Sequence, residues 1–135
     1  MTLQEIYDKA VGGVLKQGCR SVDEGASCVL RGDNGVACAI GHLLKDEDYY
    51  ADLEMQAWMD GADNAQDFAR RNLGKLLEKN IGPIGDREFE MMNRLQIAHD
   101  DGYKFEDVVD GFEQVAADFR LDRKVIEDWK AGQAA

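Results

Sequence analysis

The stretch FEDVVDGFEQVAADF, residues 105–119, has the pattern that sets the fold class of this chain. Its apolar residues recur at helical spacing, which places them along one face of an α-helix. The opposite face carries the acids Glu106, Asp107, Asp110, Glu113 and Asp118 and no basic residue. The stretch therefore predicts an amphipathic helix with its apolar face on a core and its acidic face in solvent.

Helical patterns of this kind extend over most of the 135 residues, and the chain contains a single proline. Thr2 and Glu5 have the spacing of a capping box at the start of the first helix, and Gly18 is a candidate stop. Asp86 and Asp122 are candidate N-caps of later helices. The sequence predicts helices over residues 3–18, 46–61, 64–79, 86–100, 105–119 and 122–130, and residues 39–44 as the start of a short helix.

One segment departs from the helical pattern. Residues 28–31 and 36–38 flank the turn GDNG (32–35), and Asn-Gly is a strong short signal for a β-hairpin. Because an isolated two-stranded ribbon is only marginally stable, it must lie on helices. We therefore predict a mainly α fold: one compact domain, residues 1–135, of about five or six helices with one small β-hairpin.

The strongest compositional feature is the charge, with 27 acids against 16 bases and a net charge of −11. Residues 46–66 contain seven acids and no base. Such a surface repels nucleic acid and attracts a basic protein, although it also fits a solvated face that maintains solubility. If the acids lack counter-charges, they form a partner-binding surface with two tyrosines: Asp46, Glu47, Asp48, Tyr49, Tyr50, Asp52, Glu54, Glu106, Asp107, Asp110, Glu113 and Asp118.

Cys38 is a candidate nucleophile, because the start of the predicted helix 39–44 favours a thiolate. A nucleophilic cysteine needs a base, and His99 is the candidate. Asp100 is not expected to orient His99, since adjacent side chains on a helix point about 100° apart. His99 also falls in the middle of an apolar helix face with Met92 and Leu95. It therefore fits a core imidazole with satisfied hydrogen bonds better than a catalytic base.

A metal site is the other chemical possibility that the residues leave open. Cys38 and His42 are four positions apart, and Cys28 on the partner strand could join them, with Cys19 or His99 as a fourth ligand. However, the sequence lacks the closely spaced cysteine pair of common zinc sites, and buried cysteines are frequent packing residues. The three cysteines are expected to be reduced, and we expect no cofactor.

The segments CVLRGDNGVACAIGHLLKDEDYY (28–50), LQIAHDDGY (95–103) and FEQVAADFRL (112–121) resemble a family of small, uncharacterised proteins from tailed phages and prophages. Carried over by position, the shared residues are Cys28, Gly35, Cys38, Gly41, Leu95, Gln96, His99 and Asp100. The chain departs from the family near Val29 and Leu30, where an aromatic residue is common. The resemblance covers about a third of the chain.

The resemblance implies an accessory protein of a phage or mobile element in the cytoplasm of a bacterial host. Small acidic proteins of this kind often block host defence, so the leading hypothesis is an inhibitor of the anti-CRISPR or anti-restriction type that mimics nucleic acid. Its partner would be a basic host protein or nucleoprotein complex, without direct nucleic-acid or membrane binding. The alternatives are a cysteine-dependent hydrolase or transferase using Cys38 and His99, and a small zinc-binding structural domain.

Overall fold

The computed structural model describes residues 1–21, 29–32, 35–56, 62–102 and 104–134. The fold is mainly α, as predicted, and no helix in these ranges has both the length and the apolar character needed to cross a membrane. Short 3-10 turns lie at Gly41–Leu43, Asp46–Asp48 and Ala51–Gln56. The α-helices of the described ranges are α1 (Leu3–Gln17), α2 (Ala65–Ala69), α3 (Asn72–Ile81), α4 (Asp86–Asp101), α5 (Phe105–Asp118) and α6 (Lys124–Ala134).

Helix α1 begins and ends as its local sequence predicts. The Thr2 hydroxyl accepts from the backbone N–H of Glu5, and the Glu5 carboxylate accepts from that of Thr2, which confirms the capping box. Gly18 closes the helix with φ of 74°, a left-handed conformation that glycine adopts without strain. The two glycines inside the helix provide close approaches: α6 packs on Gly12 through Val125, and the His42 ring lies on Gly13.

The core lies where α1, α4 and α5 meet. Phe112 and Tyr7 are fully buried, and the Tyr7 hydroxyl donates to the Phe112 carbonyl over 2.8 Å, which joins α1 to α5. Helices α4 and α5 cross closely at Gly111, where an added Cβ would lie 2.8 Å from the Cβ of Ala98. The prediction for 105–119 is thus confirmed in its apolar half: Val108, Val109, Phe112 and Val115 are buried.

The predicted β-hairpin is wrong as a two-stranded ribbon. Within the described part of this segment, Arg31 and Ala37 form only an isolated antiparallel bridge. Side chains occupy the outward backbone groups of both residues: the Glu54 carboxylate accepts from the Arg31 N–H, and the Gln17 amide binds the Ala37 N–H and carbonyl. These two side chains therefore occupy backbone positions that a further strand would need for pairing. Asp33 and Asn34, the central residues of the predicted turn, lie outside the described residues.

Several helix boundaries differ from the predictions. Predicted helix 39–44 is only the 3-10 turn Gly41–Leu43, and predicted helix 122–130 is Lys124–Ala134, with the Asp122 carboxylate accepting from the Lys124 N–H over 2.8 Å. Residues 46–56 form two 3-10 turns instead of one helix, and the remainder of predicted helix 46–61 lies outside the described ranges. The predicted helix 64–79 divides into α2 and α3, because Gly74 packs against the Phe68 carbonyl where any side chain would collide. Helix α4 has Gly85 at its N-cap instead of Asp86, and the Glu88 carboxylate accepts from the Gly85 N–H.

Candidate functional site

His99 lies in a buried polar cluster formed by Ser21, Cys38, Gln96, His99 and Asp100. Its side chain is fully buried, and both ring nitrogens have partners. Nε2 accepts from the backbone N–H of Ser21 over 3.0 Å, so Nδ1 carries the proton and donates to Asp100 Oδ1 over 2.9 Å. The prediction of a satisfied core imidazole is confirmed.

Asp100 does orient His99, so the prediction from adjacent helix directions is wrong. Its side chain bends toward the imidazole and is mostly buried, with 11% exposed. Oδ1 of Asp100 also accepts from Gln96 Nε2 over 3.0 Å, and Gln96 Oε1 accepts from the Ile40 N–H over 3.3 Å. Gln96 therefore connects α4 to the segment that carries Cys38. Sequence reasoning gave Gln96 no chemical role, and its spacing of four from Asp100 was the available signal.

Cys38 is a protected thiol, contrary to the expectation of a thiolate. The residue is fully buried, and desolvation raises the pKa of its thiol to about 12. Its Sγ accepts from the Gly41 N–H over 3.3 Å, which fixes the sulfur within the cluster. The His99 lone pair that a catalytic base would use is held by Ser21. The geometry therefore does not support Cys38 and His99 as a nucleophile and its base.

We expect Cys38 in the native protein to resist iodoacetamide at about pH 8, because a thiol with a raised pKa supplies almost no thiolate. The exposed Cys19 should be alkylated under the same conditions. Peptide mass spectrometry after a timed reaction, with and without urea, measures both sites. Rapid modification of Cys38 without denaturant would show that the cluster opens to solvent and would restore the nucleophile hypothesis.

The His42 ring packs against α1, while the His42 backbone N–H donates to the Cys38 carbonyl over 3.0 Å. Its ring lies over Gly13, and Nε2 lies 2.9 Å from Gln17 Oε1. Because Gln17 Oε1 can only accept, Nε2 is the protonated nitrogen. Desolvation, with Arg31 and His99 nearby, lowers the pKa of His42 to about 4. His42 therefore serves, as a neutral ring, to attach the 41–43 turn to α1.

The depressed pKa of His42 predicts a loss of stability in mild acid. The unfolded chain takes up a proton near the ordinary pKa of 6.5, whereas the folded protein does so only near 4. This contribution is thus complete above 6.5 and declines as the pH falls toward 4. Allowing for partial exposure of the ring, we expect a decrease of about 1 kcal/mol in the free energy of unfolding between about pH 7.5 and pH 5.

Urea unfolding of the wild type and His42→Gln at both pH values tests this expectation. Glutamine retains an N–H donor toward Gln17 but does not titrate, so the variant should show a smaller decrease on acidification. The other ionisable groups are the same in both proteins, so their contributions cancel in the comparison. An equal pH dependence in the two proteins would contradict the assignment to His42.

The metal hypothesis gains no support from the described residues. Among them, no three His, Cys, Asp or Glu side chains are grouped as metal ligands would be. The sulfur of Cys38 is directed to the Gly41 N–H and the ring of His42 to Gln17. Cys28, the third proposed ligand, lies outside the described residues.

The acids of residues 46–54 are mostly used within the fold. Asp46 pairs with Arg31 over 2.9 Å, and Asp48 pairs with Lys79 over 3.2 Å. The Glu54 carboxylate accepts from the Leu30 N–H and, over 2.5 Å, from the Tyr49 hydroxyl. The expectation that these acids lack partners is therefore wrong for all three.

Two exposed acids remain in this segment, Glu47 and Asp52, and the structure gives neither an ion pair within its described ranges. Of the tyrosines, Tyr49 is half-buried and Tyr50 is 43% exposed. Trp58, considered with them as an aromatic anchor, lies outside the described residues. The segment thus offers a weaker acidic surface than its composition predicts.

The acidic face of α5 is neutralised along its two edges. Glu113 pairs with Arg123, over 3.6 Å, and with Lys130, both near or on α6. Asp118 pairs with Arg94 of α4, whose hydrogen bond lowers the pKa of the Asp118 carboxyl. The prediction of a face without counter-charges is wrong at these two positions, because the bases come from helices distant in sequence.

The amino-terminal half of α5 retains unneutralised charge. Glu106 and Asp110 are exposed and lie one turn apart, and neither has an ion pair in the described part of the chain. Asp107 is also exposed, but its carboxylate accepts from the Lys104 N–H at the helix start. Phe105, which directly precedes Glu106, is half-buried, and its ring meets the half-buried ring of Trp129 edge to face at 5.9 Å between centroids. Sequence reasoning did not place Trp129 at this surface.

Comparisons with known proteins give no independent indication of function: no protein family, no curated protein and no solved structure matches the chain. The resemblance to phage proteins therefore stays a prediction. Several of its shared positions, namely Cys38, Gly41, Gln96, His99 and Asp100, lie in or against the buried polar cluster. Their placement is what a structural role requires.

Proposed function

We propose that this protein acts without catalysis, by binding a positively charged partner protein on the amino-terminal half of α5. The observation that carries the proposal is the exposed pair Glu106 and Asp110, which no described base neutralises, in a chain of net charge −11. Asp107 adds a third negative charge between them. Attraction of this kind raises the association rate and weakens with salt.

Aromatic side chains beside the acids supply the apolar contact that charge alone does not provide. Trp129 and Phe105 are half-buried with their rings in edge-to-face contact, and Phe105 directly precedes Glu106 in α5. Tryptophan is a frequent centre of binding energy in protein interfaces. The proposed surface therefore combines an apolar anchor with an acidic border, which suits a groove that normally holds a nucleic-acid backbone.

The specific form of the proposal follows the phage resemblance. A mobile-element protein with this surface would occupy the basic groove of a host nucleic-acid-binding defence complex, of the CRISPR or restriction type, and block its substrate. The class of the partner is inferred by analogy with the proteins that the sequence resembles. The buried, protonated Cys38 supports the non-catalytic side of the proposal.

The test compares two double variants that each remove two negative charges. Glu106→Gln with Asp110→Asn changes the proposed surface, and Glu47→Gln with Asp52→Asn changes exposed acids elsewhere. Purified protein captures partners from bacterial lysate at about 0.05 M and 0.5 M salt, and captured complexes are assayed for nucleic-acid binding. We expect only the α5 variant to lose both the capture of partner proteins and the inhibition of their nucleic-acid binding. Equal loss in both variants, or no loss in either, overturns the proposal.

A further inference from the structure

A positively charged ridge interrupts the acidic surface. Residues 70–79 contain four bases, Arg70, Arg71, Lys75 and Lys79, and one acid, Glu78. Two of these bases have acidic partners, because Arg71 pairs with Asp67 over 3.4 Å and Lys79 pairs with Asp48 over 3.2 Å. Glu78 is half-buried and accepts from the Ile84 N–H, and the described ranges show no ion pair for Arg70 or Lys75. The bases at positions 71, 75 and 79 follow one another at a spacing of four, along one side of α3.

Beside this ridge lies a hollow of about 330 Å³, lined by Tyr50, Asn72, Lys75 and Leu76. Among the described residues that line it there is no carboxylate, and the Tyr50 hydroxyl, the Asn72 amide and the Lys75 ammonium can all donate hydrogen bonds. Lys75 is exposed, and the structure shows no ion pair for it in the described ranges. Tyr50 is 43% exposed, which leaves an aromatic ring open to a ligand.

A larger hollow, of about 430 Å³, lies between α4 and the end of α5 and has the opposite character. Its arginines are already engaged: Arg87 donates to the Phe119 carbonyl, and Arg94 pairs with Asp118. Three carboxylates line it, from Asp86, Glu90 and Asp118. Of these two hollows, the one at Lys75 therefore suits an anionic group better.

We propose that the hollow binds an acidic segment of a partner protein, with a carboxylate on Lys75 and an adjacent apolar side chain between Tyr50 and Leu76. A short acidic peptide fits better than nucleic acid, because further phosphates along a strand would meet a protein of net charge −11. At physiological salt, screening over about 8 Å lets the charge of Lys75 act locally despite that total.

The test is a titration of ¹⁵N-labelled protein with the peptide acetyl-Glu-Phe-Asp-Leu-Glu-amide, followed by amide chemical shifts. We expect the shifts to concentrate at Tyr50, Asn72, Lys75 and Leu76. The same peptide with Gln and Asn in place of its acids should bind several-fold more weakly. Shifts spread over the surface, equal binding of the neutral peptide, or binding of a short oligothymidine at the hollow in place of the peptide would overturn the proposal.

Two lysine variants separate local recognition from general charge. Lys75→Gln should weaken peptide binding about five-fold, whereas Lys16→Gln, which removes an exposed lysine from α1, should change it less than about two-fold. An equal effect of both variants would contradict a defined site. Glu106→Gln with Asp110→Asn should leave peptide binding unchanged, so this proposal and the proposed function can fail separately.

Discussion

Replacing His99 with leucine is expected to lower the free energy of unfolding by about 3 kcal/mol. Leucine fills a similar volume but removes two hydrogen bonds. The buried Ser21 N–H loses its acceptor, and the largely buried Asp100 carboxylate loses its donor from Nδ1. An unsatisfied buried donor and a partly unsatisfied buried charge are each destabilising, and together they account for the expected effect.

Urea unfolding monitored by circular dichroism measures this change. Ile97→Ala is the matched control, since Ile97 lies on the same helix and is 47% exposed. We expect that control to stay within about 0.5 kcal/mol of the wild type. Asp100→Asn should lie between the two, because the asparagine amide can retain hydrogen bonds within the cluster. A decrease of less than about 1 kcal/mol for His99→Leu would show that the cluster contributes little to stability.

Gly41→Ala is expected to destabilise the fold by about 2–3 kcal/mol. The added Cβ would overlap the Leu30 carbonyl oxygen and lie 3.1 Å from the Cβ of Ala37. The Leu30 carbonyl also accepts from the Cys38 N–H, so it cannot withdraw without loosening the Arg31–Ala37 bridge. The overlap is with backbone, which relaxes less readily than a flexible side chain.

Gly132→Ala provides a control of opposite sign. Gly132 lies in α6, and a Cβ built there meets nothing within 4 Å. Alanine should therefore stabilise the helix by up to about 1 kcal/mol through its higher helix propensity. Alkylation of Cys38 gives a second measurement: it should accelerate in Gly41→Ala and stay slow in Gly132→Ala. Unchanged stability and unchanged Cys38 protection in Gly41→Ala would contradict the predicted collision.

The elements that the sequence predicts well are those whose determinants are local. The Thr2–Glu5 capping box and the apolar face of α5 depend on residues within a few turns of one another, so pattern and spacing suffice. The segment 46–56 was predicted poorly for the opposite reason. Its acids bind the Leu30 and Arg31 N–H groups and the Arg31 and Lys79 side chains, and such contacts outweigh helical spacing.

The candidate site likewise combines features with local determinants and features with long-range ones. The helical wheel of α4 is enough to place His99 in the core, because burial of a helix face is a local pattern. The pattern does not predict its partners. Ser21 is distant in sequence from His99, and the Asp100 side chain reaches the imidazole by bending back from a helix position that points elsewhere. The pairing of Glu113 and Asp118 depends on the docking of α6 and α4, which no window of sequence contains.

The side chains that cap the Arg31–Ala37 bridge restrict how this chain can associate. Open strand edges recruit further strands, either from a partner or from another copy on the way to aggregation. Gln17 and Glu54 already fill the outward hydrogen-bonding positions of Ala37 and Arg31. Growth of a sheet from these positions would first require both side chains to leave, so this edge disfavours association by strand addition.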